Sequence, residues 1–415
     1  MTDKHSTFAA NKSYSLWGKV TLKDFCQKCT KKNIGKKYNT VFTNSAIHGV
    51  IKQSDYFEKD VANSDNTDSY YVVNTKDFIY NPRISENAPY GPIRTNETGE
   101  VGIVSPLYFV FRIADETIAD YNFLKYYFTS SNWHRYVYSI GNNGARSDRM
   151  NISDADFMAM PVALPPLEEQ RRIADILGCC DRVITLKKEL IAEKKKQKKA
   201  LMQKLLNPDS GFRLPGFSGE WEKTTLGKLA TNKGDYGINA PACEYSPGLP
   251  RYIRITDIDE HCKFISSNEA YVRVSEYQDF LLKPSDIVFV RTGGTVGKSY
   301  VYDPKDGDLV FAGFLIRFNF QTPQADCRFI KQIVSTEEYF RWVNIMSARS
   351  GQPGINAEEY ASYSFYAPSL DEQKAIADIL SAADKEIDLL EQELAQQEQK
   401  KKSLMQLLLT GIVRV

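Results

Sequence analysis

The stretch of sequence that decides the fold occurs twice in this chain. Residues 165–206 read PPLEEQRRIADILGCCDRVITLKKELIAEKKKQKKALMQKLL, and residues 368–409 read PSLDEQKAIADILSAADKEIDLLEQELAQQEQKKKSLMQLLL. The two segments align without a gap at a constant offset of 203, and both contain the strings EQ, IADIL and LMQ. Identity of this kind at one offset indicates a duplicated unit and not a shared composition.

The duplication extends outside these two segments. Trp17 with Thr21-Leu22 matches Trp221 with Thr225-Leu226, and the tripeptide Ala-Arg-Ser precedes each repeated segment, at 145–147 and 348–350. The chain therefore alternates a globular unit with a helical segment, twice. The predicted boundaries are 1–164 for the first globular unit, 165–208 for the first helical segment, 209–366 for the second globular unit and 367–415 for the second helical segment.

Both helical segments have the apolar spacing of a coiled coil, with steps that alternate between four and three residues. Prolines precede each segment, and Asn207-Pro208 and Thr410-Gly411 follow them, as is typical of helix ends. The predicted positions of the apolar seam are Ile173, Leu177, Ile184, Leu201 and Leu205 in the first segment and Ile376, Leu380, Ile387, Leu394, Leu404 and Leu408 in the second.

The two helical segments carry opposite net charges. The first has a net charge of +5 and the second of −4, which favours pairing of the two helices with each other. The alternative is that both charged faces are simply solvated. About forty helical residues form a rod of roughly 60 Å. An antiparallel pair of such rods could separate two globular units by at least one DNA turn, about 34 Å, in a pseudo-twofold arrangement.

The two globular units have the patterns of an α+β fold. Short β-prone runs occur at 70–73, 102–111, 251–255 and 286–291, and they are separated by Gly, Pro and Asn. Each unit then has one helical stretch, at 121–138 and at 328–347. Outside the repeated landmarks the two units differ in sequence. Duplicated scaffolds with different interiors are suited to modules that recognise different targets.

Basic residues on loops are the candidate contacts to nucleic acid. In the second unit a glycine-rich turn, RTGGTVGK, follows a predicted strand, and Arg291, Thr292 and Lys298 in this turn could approach a phosphate. The loop that contains each Ala-Arg-Ser landmark supplies the other candidates, which are Arg146, Arg149, Arg349 and Gln352. Arginine suits guanine and glutamine suits adenine. The alternatives remain a flexible hairpin for the turn and, for the arginines, an anchor to their own domain.

Each candidate enzymatic motif in the sequence lacks residues that the motif requires. The turn at 292–299 departs from a P-loop at its first glycine, and the residues after it continue as a strand. Residues 81–84, NPRI, only partly match the motif of adenine methyltransferases. The four histidines are isolated, and Cys26 and Cys29 form a single CxxC, which is too few ligands for zinc. We therefore predict no catalytic residue, no metal site and no cofactor bound by this chain.

Composition sets further bounds. No apolar run approaches the roughly 20 residues that span a membrane, and the start of the chain has no signal-like apolar core, so we expect a cytoplasmic protein. Seven scattered cysteines indicate reduced thiols. The net charge is only +1, so any basic surface for nucleic acid must be local.

The whole pattern resembles the specificity subunits of type I restriction–modification systems. The residues that carry the resemblance are PLEEQRRIADIL at 166–177, its counterpart at 369–380, the LMQ-containing endings, and FRLPGFSGEWEKTTL at 212–226. It implies two target-recognition domains that read a bipartite double-stranded DNA site, joined by spacer helices. It also implies docking of adenine methyltransferase subunits, two per chain, which carry S-adenosylmethionine, and of restriction subunits.

Two other classes of function stay open at this point. A self-contained restriction enzyme would need catalytic motifs in this chain. A coiled-coil scaffold or adaptor without DNA reading would explain the helices, but it would leave two large and different globular units without a role.

Overall fold

The computed structural model describes residues 17–56, 64–143, 148–348 and 352–415. The chain folds into two compact units: residues 1–188 with 393–415 form unit 1, and residues 189–392 form unit 2. Each unit thus combines one globular part with sections of both long helices, which differs from the linear division of the chain into four segments. The two units share a central four-stranded sheet and differ in their remaining strands, so each is described in turn.

The described helices of four or more residues are α1 Gln53–Tyr56, α2 Tyr121–Thr129, α3 His134–Ile140, α4 Asp154–Met158, α5 Leu167–Leu205, α6 Leu226–Leu229, α7 Cys327–Ile333, α8 Glu337–Ser347, α9 Ala357–Ser362 and α10 Leu370–Leu408. The strands of unit 1 are β1 Gly18–Thr21, β2 Cys26–Lys28, β3 Phe42–Ser45, β4 Gly49–Lys52, β5 Tyr71–Val73, β6 Phe78–Tyr80, β7 Ile93–Thr95, β8 Gly102–Val104, β9 Phe109–Ile113, β10 Asn142–Asn143, β11 Met150–Asn151 and β12 Pro161–Leu164.

The strands of unit 2 are β13 Glu222–Thr225, β14 Asp235–Tyr236, β15 Ala242–Cys243, β16 Arg251–Ile253, β17 Tyr271–Val272, β18 Asp286–Val290, β19 Ser299–Val301, β20 Leu309–Phe311, β21 Leu315–Asn319 and β22 Ser364–Ala367. The α+β prediction is confirmed. The stretches predicted at 121–138 and 328–347 are each broken into two helices. In unit 2 the break occurs where the Thr336 side chain caps α8 by accepting a hydrogen bond from Tyr339 N.

A four-stranded antiparallel sheet forms the centre of unit 1, in the order β2-β9-β6-β7. Alternate side chains of β6 point to opposite faces, as the pleat requires. Phe78 and Tyr80 join one buried apolar cluster, whereas Ile79 joins another. Both faces of this sheet are therefore buried, and the contiguous apolar run of β6 follows from that.

Unit 2 repeats this sheet in the order β14-β21-β18-β19. Its central strand β18 also divides its side chains between two clusters, with Ile287 and Phe289 on one face and Val288 and Val290 on the other. A second sheet, β15-β17-β16-β20, includes a parallel pairing of β16 with β20. Unit 1 has two short ribbons instead, β3-β4 and β5-β8.

A two-stranded ribbon closes each globular part just before its long helix begins. In unit 1, β1 pairs with β12, and in unit 2, β13 pairs with β22. The Thr-Leu landmark ends the first strand of each ribbon, and its leucine, Leu22 or Leu226, is fully buried. Trp17 packs edge-on against Phe123 with 6.2 Å between ring centroids, and Trp221 packs in the same way against Phe329 with 6.3 Å between ring centroids. The repeated landmarks are therefore structural.

The glutamine of each EQ motif fastens the start of a long helix to its globular part. Gln170 Nε2 donates to Ile118 O and Pro165 O, both at 2.9 Å, and its Oε1 accepts from Asp120 N at 2.8 Å. Gln373 makes the same three hydrogen bonds to Gln324 O, Pro368 O and Asp326 N. Both glutamines are buried, so these bonds satisfy backbone groups that water cannot reach.

The glutamate of each EQ motif binds an arginine that follows the other helix. In unit 1, Glu169 forms a two-bond pair with Arg414 at 2.5 Å for each bond. In unit 2, Glu372 pairs with Arg213 in the same way, at 2.5 and 2.6 Å. Both carboxylates are buried, and the planar guanidinium satisfies both oxygens at once.

Within each unit, sections of α5 and α10 lie antiparallel and are joined by ion pairs. Residues early in α5 pair with residues late in α10, and residues late in α5 pair with residues early in α10. The pairs in unit 1 are Asp181–Lys401, Lys187–Glu393 and Lys188–Glu398. Those in unit 2 are Lys194–Glu386, Lys195–Glu391 and Lys198–Asp384. The predicted pairing of oppositely charged helices is confirmed.

The predicted seam is buried at most positions. Ile173, Leu177, Ile184, Leu205, Ile376, Leu380, Ile387 and Leu408 are buried, and Leu394 and Leu404 are half-buried. Leu201 is an error of the prediction, because it is exposed and Met202 packs into the unit 2 core instead. Ile191 of α5 is buried and marks the direction of the buried face in this section. In a straight helix of 3.6 residues per turn, Met202 lies about 20° from that direction, whereas Leu201 lies about 80° away.

No helix in the described part of the chain is both long enough and apolar enough to cross a membrane.

Candidate nucleic-acid interface

The two central sheets carry equivalent loops, which join β6 to β7 in unit 1 and β18 to β19 in unit 2. We call them reading loop 1 (residues 81–92) and reading loop 2 (residues 291–298). Both are closed by a glycine with positive φ, Gly91 at +79° and Gly297 at +89°. A Cβ on Gly91 would lie 2.1 Å from Asn81 O, and one on Gly297 would lie 2.6 Å from a Val343 methyl. Only glycine fits at this corner.

Reading loop 2 is held by the segment that precedes α9. Ile355 N donates to Arg291 O at 2.8 Å, and Gly293 N donates to Pro353 O at 3.1 Å. Gln352 is exposed, and its Nε2 lies 3.6 Å from the place where a Cβ on Gly293 would be. The structure therefore brings together the glycine-rich turn and the Gln352 segment, which are far apart in the sequence.

Among the predicted contacts that the structure describes, Arg291 has the best-defined anchor. Its guanidinium lies over the ring of Tyr236, with 4.9 Å from Cζ to the ring centroid, and its Nη1 donates to Gly313 O at 3.3 Å. Its Nε is buried and has no hydrogen-bond partner among the described residues. Thr292 forms an isolated bridge with Gly354, and Lys298 is half-buried at the end of reading loop 2, just before β19. Arg291 is thus held rigidly while part of its donor capacity stays unused.

Reading loop 1 is held in the same register by the segment at 148–150. Met150 N donates to Pro82 O, and Ile84 N donates to Asp148 O, both at 2.9 Å. These bonds correspond one by one to those of reading loop 2. Arg149 consequently lies directly opposite Arg83 in an isolated antiparallel bridge.

The Arg83–Arg149 pair is the feature that sequence reasoning missed, because NPRI was weighed only as a methyltransferase motif. Like charges directly opposite each other in a β-pairing repel. Arg83 is exposed and has no carboxylate within ion-pair distance in the described ranges, and Arg149 reaches only Asp148, at 4.0 Å. Two arginines at directly opposite positions of one bridge, with little compensation from carboxylates, are a candidate site for an anion. Arg83 occupies the position of Thr292 in the structure, but the repeat offset of 203 does not align these two residues in the sequence.

A concave surface of about 690 Å³ lies beside this pair in unit 1. It is lined by Arg149, Pro82 and Leu107 together with aromatic rings, which are Tyr71, Tyr80, Tyr108, Phe109 and Phe157. Lys28 lies at its edge, over the Phe109 ring and paired with Asp154. Cationic and aromatic side chains thus share one hollow.

Two of the predicted contacts, Arg146 and Arg349, lie outside the described residues. The P-loop alternative is not supported, because β19 follows the turn where a helix would be required. Cys26 and Cys29 belong to different clusters on opposite faces of the sheet, and burial raises the pKa of both thiols. Within 17–56, 64–143, 148–348 and 352–415, no group of three or more His, Cys, Asp or Glu is placed to hold a metal ion.

Comparison with known proteins agrees with this twofold architecture. The family model described as "Type I restriction modification DNA specificity domain" matches residues 14–195 and again residues 218–399. The chain belongs to the type I restriction modification DNA specificity domain family. The two matches have nearly the same length and together cover most of the chain, as the duplication requires.

Relatives of this family are similar in sequence and in fold. The type I restriction enzyme MjaVIII specificity subunit of Methanocaldococcus jannaschii is 27% identical over 62% of this chain and 63% of its own length. The alignment thus spans less than two thirds of that relative. The S subunit of a type I restriction–modification system from M. genitalium is 15% identical over 94% of this chain and 96% of that chain, with a TM-score of 0.57. A chain solved in a study of complex assembly in the type I R-M system is 18% identical, covers 95% and 97%, and has the same TM-score.

Proposed function

We propose that this protein is the specificity subunit of a type I restriction–modification complex and reads a bipartite DNA target, one half-site for each unit. The observation that carries the proposal is the pair of reading loops. They join equivalent strands of the central sheet of each unit and are fixed by equivalent backbone hydrogen bonds, yet their side chains differ. A shared frame with different exposed residues is what reading two unlike half-sites requires.

In this proposal the chain supplies binding and positioning, and its partner subunits supply the catalytic groups. Adenine methyltransferase subunits that carry S-adenosylmethionine would dock on the long helices, and the duplication of the helical segments supports two of them per chain. Restriction subunits would join the same complex in the cytoplasm. The target adenine would be flipped out of the duplex into the partner's site, because a base cannot be modified within the stack.

Genome-wide mapping of methylated adenines tests this proposal. We expect the chain, expressed with its methyltransferase, to produce one bipartite motif, and we expect deletion of the chain to abolish that methylation. Methylation that persists without the chain would contradict the proposal and favour an adaptor without DNA reading.

A domain exchange tests the assignment of half-sites. Replacing residues 211–367 with the corresponding domain of another family member should change one half of the motif and leave the other half and the methyltransferase partnership intact. A change in both halves would contradict the assignment of one half-site to each unit.

A further inference from the structure

Each unit has an equivalent β-turn, and each of these turns exposes a large apolar side chain at the same position. Tyr108 N donates to Ser105 O at 3.0 Å in unit 1, and Leu315 N donates to Ala312 O at 2.8 Å in unit 2. These bonds close two β-turns that enter the equivalent strands β9 and β21. The third residue of the first turn is Leu107, which is 57% exposed, and that of the second is Phe314, which is 55% exposed.

Both residues adjoin the candidate nucleic-acid interface of their own unit. In unit 2, Arg291 N donates to Phe314 O at 3.0 Å, so the turn and reading loop 2 are directly bonded. In unit 1, Leu107 and Arg149 line the same concave surface. Each unit therefore places one bulky apolar side chain beside its arginine-bearing loop.

Packing within the units does not account for these two side chains. Burial of a leucine or phenylalanine side chain stabilises a fold, but more than half of each of these residues stays exposed. A single exposed apolar residue is ordinary. Two of them at one turn position, in units whose loops otherwise differ, suggest a common apolar ligand beside a cationic loop.

The DNA major groove presents one apolar feature next to its hydrogen-bonding edges, the 5-methyl group of thymine. We propose that Leu107 and Phe314 each contact a thymine methyl group in the half-site read by their unit. This inference rests on the proposed function, and it adds the base type that two named side chains recognise. The larger ring of Phe314 extends further from its turn than the side chain of Leu107, so the two thymines need not occupy equivalent positions.

Duplexes in which deoxyuridine replaces thymine, one position at a time, test the proposal because they remove only the methyl group. The probe is a duplex with the mapped motif, bound to the complex of this chain with its methyltransferase subunits. A buried methyl group is worth about 0.8 kcal/mol, so one deoxyuridine in each half-site should weaken binding about fourfold. Leu107→Ala should weaken binding and remove the sensitivity in one half-site, and Phe314→Ala should do so in the other.

Ile47→Ala is the matched control, since Ile47 is also an exposed apolar residue of unit 1. It should leave the deoxyuridine sensitivity unchanged. Wild-type binding that no deoxyuridine weakens, or a half-site without thymine, would overturn the inference and leave the proposed function standing. Variants that impair methyltransferase assembly but keep the sensitivity would also overturn it, because they would indicate a protein contact. Failure of the wild-type complex to bind the motif would overturn the proposed function itself.

Discussion

Lys401 Nζ lies 2.5 Å from Asp181 Oδ1, and the other oxygen of this carboxylate accepts a hydrogen bond from Tyr126 OH at 2.7 Å. One aspartate thus connects α10, α5 and the globular part of unit 1. The repeat reproduces this arrangement at an offset of 203, where Asp384 accepts from Lys198 Nζ at 2.5 Å and from Gln332 Nε2 at 2.8 Å.

We expect Asp181→Asn to destabilise unit 1 by about 1 kcal/mol, because a partly exposed ion pair and one hydrogen bond are each worth up to roughly that amount. Urea unfolding would measure the change, and a double-mutant cycle with Lys401→Gln would isolate the pair. Asp175→Asn, at an exposed position on the same helix, is the control and should have little effect. A zero coupling energy between Asp181 and Lys401 would contradict the expectation.

Replacement of a buried EQ glutamine should cost more than loss of the ion pair. Gln170→Ala leaves Asp120 N and the carbonyls of Ile118 and Pro165 without their partner, and each unsatisfied buried group costs about 1–3 kcal/mol. We expect a loss of several kcal/mol in the free energy of unfolding, measured by urea denaturation. Gln197→Ala, at an exposed site on the same helix, should be nearly neutral. Equal effects of the two variants would refute the anchoring role.

The stability of unit 1 should vary with pH because of His134. Its ring lies 5.0 Å from that of Tyr90 in reading loop 1, and burial lowers the pKa of His134 below its ordinary value of 6.5. The folded state therefore binds the proton less readily than the unfolded state, and stability should fall as the pH decreases below 6.5. His134→Phe should remove that part of the pH dependence in urea midpoints measured from pH 7.5 downwards. An unchanged slope would contradict this assignment.

The long helices could be predicted from the sequence because their signal is local and repeated. Apolar spacing and opposite charge indicated α5 and α10, and the structure places their ion pairs accordingly. The error at Leu201 arose because a strict heptad drifts from a helix of 3.6 residues per turn. The breaks before α3 and α8 were missed because an apolar pattern continues across a capping residue such as Thr336.

The candidate site was less predictable because its parts are distant in the sequence. Arg291 was proposed from a glycine-rich turn and Arg149 from the loop with the repeated Ala-Arg-Ser landmark, and nothing local showed that Arg83 would lie opposite Arg149. That proximity depends on the register between two segments more than sixty residues apart. Only the strand pairing fixes this register, and at the repeat offset of 203 the sequence does not align Arg83 with its structural equivalent Thr292.

The arginines of the two units should affect different halves of the target. We expect Arg149→Ala, and equally Arg83→Ala, to weaken binding of the complex to duplexes by changes confined to one half-site, whereas Arg291→Ala should affect the other. A good arginine contact to a base is worth about 1–3 kcal/mol, so each loss should be about five- to 150-fold. Arg83→Ala should leave the unliganded protein as stable as the wild type or more stable, because it relieves the repulsion from Arg149.

Competition binding with duplexes altered in one half-site at a time would measure the effect on DNA binding, and thermal unfolding would measure the effect on stability. Lys19→Ala, on the ribbon strand β1 of a different sheet, is the control and should change neither. If Arg149→Ala and Arg291→Ala weakened both half-sites equally, the arginines would be general phosphate contacts, and the assignment of one reading loop to each half-site would be wrong.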